Sequence, residues 1–228
     1  MMNPVVKRTF TGLFVGAIVI CAVLFAPKAA IRPVVGCLIA LAVVEYVLLL
    51  KKKVATLGIM SVARSLVFTT LSIFGFVLIA AGLWMLAETA LAHGNVMLLY
   101  IIAIVKFSDV GGFAFGLSSA KLMKGGNHKM CPTVSPNKSW EGMAGSIFAS
   151  CLVSCCFIPA TGFAFSKALA FGVAAAIVGT AGDLVESKFK RWVGVKDSST
   201  MKITNGMGGF LDMFDSLLIA PAVLYFFI

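Results

Sequence analysis

The chain has 228 residues, 60% of them hydrophobic and only 12% charged, with a mean hydropathy of +1.03. A water-soluble domain carries about 25% charged residues, so runs this apolar belong in lipid and an aqueous globule is excluded. The net charge of +10 raises nucleic acid as a partner. The lysines and arginines, however, sit in short connections between apolar runs, which membrane topology explains and nucleic-acid binding does not.

Seven apolar runs follow one another, at about 10–26, 31–50, 65–87, 96–117, 141–160, 166–183 and 209–228. Each is close to the roughly 20 residues that a helix needs to cross a bilayer. The runs are continuous rather than alternating, which points to helices and not to a barrel. The first run, behind Lys7 and Arg8, has the look of a signal peptide, but six further runs make an uncleaved anchor the expected reading. No repeat, low-complexity segment or long linker divides the chain. The expected fold is therefore an all-α polytopic membrane protein of about seven transmembrane helices. Residues 1–228 form one integral domain, with N-terminal helices to about 90 and the functional helices and loops from about 95. Of the six cysteines, Cys21, Cys37, Cys151, Cys155 and Cys156 lie in apolar runs and Cys131 in a loop, without metal-ligand spacing.

Orientation follows from the basic residues in the connections. With the N-terminus in the cytoplasm, that side receives Lys7, Arg8, Lys51, Lys52, Lys53, Arg64, Lys121, Lys124, Lys129, Lys138, Lys188, Lys190, Arg191, Lys196 and Lys202. The opposite side receives Lys28, Arg32 and Lys167, and Lys106 stays inside a span. Fifteen against three sets a cytoplasmic N-terminus.

The nine acids are distributed unevenly. Glu45 and Glu88 stand apart, as a partner for nearby lysines and as a helix cap or loop charge. Asp109, Glu141, Asp183, Glu186, Asp197, Asp212 and Asp215 all fall at or near the cytoplasmic face. Carboxylates in a membrane protein are costly and mark ion, proton or substrate sites. On a helix, Asp183, Glu186, Ser187, Lys190 and Arg191 share one face. Asp212 and Asp215 are i, i+3 neighbours directly behind Gly208 and Gly209. Two acidic helix ends with lysines between them suit a divalent cation and a polyphosphate, in an active-site cavity at the cytoplasmic face. The loop from Lys121 to Gly142 is basic and broken by Gly125, Gly126, Pro132 and Pro136. Ser135 followed by Pro136 fits a helix start, and Lys138 beside a helix N-terminus makes an anion site. His128 is read as a loop residue rather than a ligand.

The segment from Gly182 to Asp215 resembles the signature of the phosphatidate cytidylyltransferases. The matching residues are Ser187, Lys190-Arg191, Lys196-Asp197, Gly206-Met207-Gly208-Gly209 and Leu211-Asp212-Met213-Phe214-Asp215. Upstream, Val134 to Gly142 resembles that family's Ser-Pro-x-Lys-Thr-x-Glu-Gly element, and Asp109 to Gly116 its Asp-x-x-Ala/Gly-aromatic helix. Met207 stands where the family has His, Asn205 where it has Pro, and Met213 where it has Arg. The loop from Asp197 to Gly206 is about two residues longer than usual.

The resemblance implies a nucleotidyltransferase that joins CTP and phosphatidate into CDP-diacylglycerol, releasing pyrophosphate, in a multi-pass protein of the cell inner membrane. It implies Mg²⁺ held by Asp183, Asp212 and Asp215, with room for a second, monovalent ion. Lys190, Arg191 and Lys196 are then catalytic cations, with Ser187 and Asp197 in support. Lys138, Ser135, Glu141, Asp109, Gly208 and Gly209 line the substrate. Membrane lipid is a partner, nucleic acid is not, and a homodimer is allowed. Two alternatives stay open. One is a CTP-dependent enzyme acting on another lipid, an isoprenoid alcohol kinase or an ether-lipid cytidylyltransferase. The other is a catalytically silent relative or a transporter, although a transporter would carry ionisable residues near mid-membrane on several helices.

Overall fold

Backbone groups inside lipid are satisfied within a single segment only by helix. The chain follows that rule in a computed structural model whose described residues are 20–57, 62–195, 215–217 and 219–228. In chain order these hold α1 (Lys28–Leu57), α2 (Val62–His93), α3 (Asn95–Leu122), α4 (Trp140–Cys156), the single turn α5 (Ile158–Thr161), α6 (Phe165–Val193) and the short α7 (Ala220–Leu224). Four of them, α1, α2, α3 and α6, are long and apolar enough to cross a membrane. They have 28 to 32 residues and so extend about 42–48 Å, well past the roughly 30 Å of hydrocarbon. Lys51 to Lys53 on α1 and Lys190 and Arg191 on α6 therefore stay helical beyond the apolar slab.

The other expected spans look different. In place of 141–160, α4 has 17 residues, about 25 Å. It closes at Phe157, whose N–H donates to Val153 O. Pro159 in α5 and the left-handed Gly162 then turn the chain back. Toward the C-terminus, 3-10 turns at Asp215–Leu217 and Tyr225–Phe227 flank the five-residue α7. Residues 20–25 are helical; 10–19 and 209–214, from the first and last expected spans, lie outside the described residues.

Successive helices run antiparallel, so one end of the bundle collects the basic residues and the hairpin that joins α3 to α4. At the opposite end Arg32 pairs with Glu88 at 3.3 Å and Lys167 donates to Ile228 O at 3.1 Å. The core forms around Leu83, Tyr100, Ile101, Ile104, Val105, Phe171 and Ala175. Small residues bring α3, α4 and α6 into close contact, as is common for helices in lipid. A Cβ on Gly145 would meet Phe115 and the Gly111 carbonyl, and one on Gly172 would meet the Cys151 backbone. The approach lets Ser150 Oγ donate to Gly172 O at 2.8 Å and Ser154 Oγ to Ala168 O at 2.6 Å.

The hairpin corrects one sequence expectation. Ser135 does not cap a helix: Ser135–Ser139 is a strand, β2, antiparallel to β1 (Lys129–Cys131). Pro136 has no N–H to donate, which an extended edge tolerates as well as a first helical turn does. The cap is Ser139, whose hydroxyl accepts the Gly142 N–H at 3.1 Å. That shift of four residues places Lys138 on the strand immediately before the helix.

Candidate functional site

Lys138 reaches from the end of β2 across to α6. Its ammonium donates to Asp183 Oδ2 at 2.8 Å and to Thr180 O at 3.2 Å. The pair is largely enclosed, with side-chain exposures of 23% for Lys138 and 18% for Asp183. The second oxygen, Asp183 Oδ1, is buried without a hydrogen-bond partner among the described residues. Buried carboxylate oxygens are rarely left so, and the exception marks a position suited to a cation or a donor group.

A second charged group approaches from α3. Asp109 Oδ2 accepts the Ser216 hydroxyl at 2.8 Å and lies 3.5 Å from Lys106 Nζ. Lys106 in turn donates to Ser216 Oγ at 2.9 Å. Asp109 is close enough to Asp183 for their charges to repel, and to Lys138 for theirs to attract. Two carboxylates and two ammonium groups, from α3, the hairpin and α6, therefore share one neighbourhood. The Asp215–Leu217 turn joins it through Ser216.

The remaining expected residues are arranged around this cluster. Two turns beyond Asp183, Lys190 is paired with the buried Glu186 at 2.6 Å, while Ser187 is half-buried. Arg191 is exposed and directs Nε to Val134 O at 3.5 Å, linking the end of α6 to the hairpin. Ser135 lies in the same hairpin. Glu141, in the first turn of α4, faces back to His128: both its oxygens accept the His128 backbone N–H at 3.1 Å, and Oε1 lies 2.6 Å from Nδ1. The His128 ring, with the backbone N–H groups of Glu141 and His128, holds the Glu141 carboxyl down at about 2. Glu141 thus orders the hairpin. Lys196, Asp197, Gly208, Gly209 and Asp212 lie outside the described residues, as does the Asp215 side chain. Among the described residues no three His, Cys, Asp or Glu side chains group as a metal site.

Two contributors, Thr180 and Ser216, were missed in the sequence, and two, Glu186 and Lys106, were noted there without a site role. Glu186 and Thr180 lie on the Asp183 helix; Lys106 and Ser216 join elements far apart. Lys106 carried a signal of its own, as a cation inside a span.

The helices long enough to span a membrane thus gather carboxylates and cations at one end of the bundle. The comparison with known proteins gives the family: the chain matches the cytidylyltransferase family over residues 6–228 and belongs to it. It is 40% identical over 129 residues to a Staphylococcus aureus protein named phosphatidate cytidylyltransferase, covering 56% of this chain and 46% of that one. A Haemophilus influenzae protein of the same name is 37% identical over 147 residues, 59% of this chain and 46% of its own. The uncharacterized protein YnbB of Escherichia coli is 35% identical over 150 residues, 65% of this chain and 48% of its own. The chain spans about half the length of the curated relatives it matches.

Proposed function

We propose that this chain transfers the cytidylyl group of CTP to phosphatidate at the cytoplasmic surface of the inner membrane, giving CDP-diacylglycerol and pyrophosphate. The observation that carries this reading is the Lys138–Asp183 pair with its unpartnered Asp183 Oδ1, set beside Asp109 in a chain of the cytidylyltransferase family. A phosphatidate oxygen forms the new bond to the α-phosphorus of CTP as the bond to pyrophosphate breaks. A phosphate monoester is largely dianionic at neutral pH, its second pKa being about 6, so the nucleophile needs no strong base. Met207 at the family's His position is compatible with that chemistry.

The demand on the protein is to hold several anionic groups together. Asp183 Oδ1 and the Asp109 carboxylate form a hard, anionic oxygen set of the kind that suits Mg²⁺, and Asp212 and Asp215 would complete it. When bound, Mg²⁺ neutralises phosphate oxygens and the charge that develops on the leaving group. Lys138 uses two of its three donors on Asp183 and Thr180 and keeps one for a phosphate. Arg191, fixed against the hairpin, presents a fork of donors at the rim. Glu186 keeps Lys190 in place on the same helix, and Lys196, six residues further along the sequence, would add positive charge.

For the lipid, a recess of about 430 Å³ opens beside the same helix. Leu71, Phe74, Leu78, Val185 and Phe189 make its wall apolar, and Lys188 and Trp192 stand at the end nearer the basic loops. Lys53 lies 5.2 Å above the Trp192 ring. Indole and lysine favour the headgroup level, so an acyl chain enters here with its phosphate toward α6. Gly182, next to Asp183, lines the inner wall.

The test is conversion by purified protein in detergent, with CTP labelled at the α-phosphorus, with and without Mg²⁺. Label in CDP-diacylglycerol with stoichiometric pyrophosphate is the expected result. Release of CDP with a newly phosphorylated lipid alcohol, or no turnover, would overturn it.

A further inference from the structure

Lys106 lies about 17 Å along a helix of about 42 Å, so its charge falls in the middle of an apolar span. Packing alone would be met at lower cost by leucine, because a lysine in hydrocarbon needs partners. Among the described residues, Ser216 and Asp109 are partners. The ammonium donates to Ser216 Oγ at 2.9 Å, and the same hydroxyl donates its single proton to Asp109 Oδ2 at 2.8 Å. Donor and acceptor roles run in one direction through the hydroxyl, which is fully buried. The third element is α6. A Cβ built on Gly179 would sit 3.8 Å from Ser216 Cβ and 3.7 Å from Val105, and Gly179 is one helical turn before Asp183. Ser216 follows Asp215 directly.

We propose that Lys106 and Ser216 are positioning residues: they clasp the Asp215–Leu217 turn onto Asp109 of α3, beside the Asp183 turn of α6, and so hold the acidic residues of three separate elements in register. Neither residue touches substrate in this scheme. The inference rests on reading the acidic cluster as the Mg²⁺ and phosphate site.

The experiment uses the full chain in detergent and compares the parent with Lys106→Met, Lys106→Arg, Ser216→Ala and the double Lys106→Met/Ser216→Ala. Two readouts are taken: steady-state kcat and KM for CTP, and the Mg²⁺ concentration that gives half-maximal thermal stabilisation. The second does not depend on turnover. Lys106→Met and Ser216→Ala should each lower kcat at least tenfold, with KM for CTP changed less than threefold. Each should raise the Mg²⁺ midpoint at least fivefold. The double variant should be no worse than the weaker single, since one link is broken once, and Lys106→Arg should retain more activity than Lys106→Met. A lower melting temperature with an unmoved Mg²⁺ midpoint and kcat would make the clasp a structural filler and overturn the proposal, as would losses that multiply in the double variant. Should Lys106→Met not fold, Ser216→Ala decides alone by the same midpoint. A parent without cytidylyl transfer, whose Mg²⁺ midpoint still shifts in the variants, would retire the activity and leave the clasp standing.

Discussion

Asp183→Asn keeps the size of the side chain and removes its charge, leaving Lys138 with a neutral partner and the Thr180 carbonyl. At the observed 2.8 Å, two unit charges attract by about 6 kcal/mol at an effective dielectric of 20, most of it offset by desolvation of both groups. Breaking a buried pair from one side costs about 3–5 kcal/mol. Solvent reaches about a fifth of each side chain, so the expected loss of stability is nearer 2 kcal/mol. For a chain of this size that is a fall in Tm of about 4–8 °C. On the proposed function, activity should fall further, by at least a hundredfold or about 3 kcal/mol, because the same carboxylate would help to neutralise transition-state charge. Lys138→Met should cost similar stability. The pair is best separated by a double-mutant cycle, with thermal unfolding in detergent and cytidylyl transfer measured on the same preparations. In stability, Asp183→Asn/Lys138→Met should be about 1–3 kcal/mol better than the sum of the singles. In activity it should match the worse single. Additive stability losses, or singles that keep near-normal rates across a Mg²⁺ titration, would refute the pairing and the role built on it.

Gly145→Ala should destabilise by about 1–3 kcal/mol, since its Cβ meets Phe115 and the Gly111 carbonyl. Gly36→Ala, with nothing within 4 Å, should be neutral or stabilising by up to about 1 kcal/mol; equal melting curves for the two would contradict the tight α3–α4 crossing. Val185→Trp should fill the recess and raise KM for long-chain phosphatidate about tenfold while sparing a dihexanoyl substrate and CTP. An equal effect on both chain lengths would remove the recess from the lipid path. In a cysteine-free background, an impermeant reagent outside the cell should label a cysteine at 167 and miss one at 124, and the reverse pattern would invert the orientation. Glu141 has its pKa lowered from 4.5 to about 2, so its contribution to the hairpin is full above pH 4.5 and disappears as pH falls toward 2. Protection of the His128 amide from hydrogen exchange, corrected for intrinsic rate, should be flat from pH 7 to 4.5 and drop below; loss already at pH 5 would count against the Glu141 contact.

The spans at 31–50, 65–87, 96–117 and 166–183 were legible because lipid leaves a continuous apolar backbone no alternative to helix. Their ends were not, since lysines continue a helix readily and carry α1 and α6 past the slab. At 135–139 a local rule had two equal answers. Either Ser135 or Ser139 can cap a helix, and pairing of β2 with Lys129–Cys131 decides it, a tertiary event without a local trace. The cluster shows the same division. Asp183 and Lys138 stood out singly, but helical spacing linked Asp183 to Glu186, whereas Glu186 pairs with Lys190 and Asp183 crosses 45 residues of sequence to the hairpin. For Lys106 the sequence carried half of the information. An ionisable group inside a span requires a polar partner, so the existence of one followed from position alone. Its identity did not: Ser216 is 110 residues away and resembles every other serine of the chain. The tertiary fold selects it: the Asp215–Leu217 turn packs against α6 as well, where even a Cβ on Gly179 would sit at an ordinary 3.8 Å from Ser216 Cβ. A charge inside a span thus announces a contact from sequence, and the packing of elements distant in sequence determines which residue makes it.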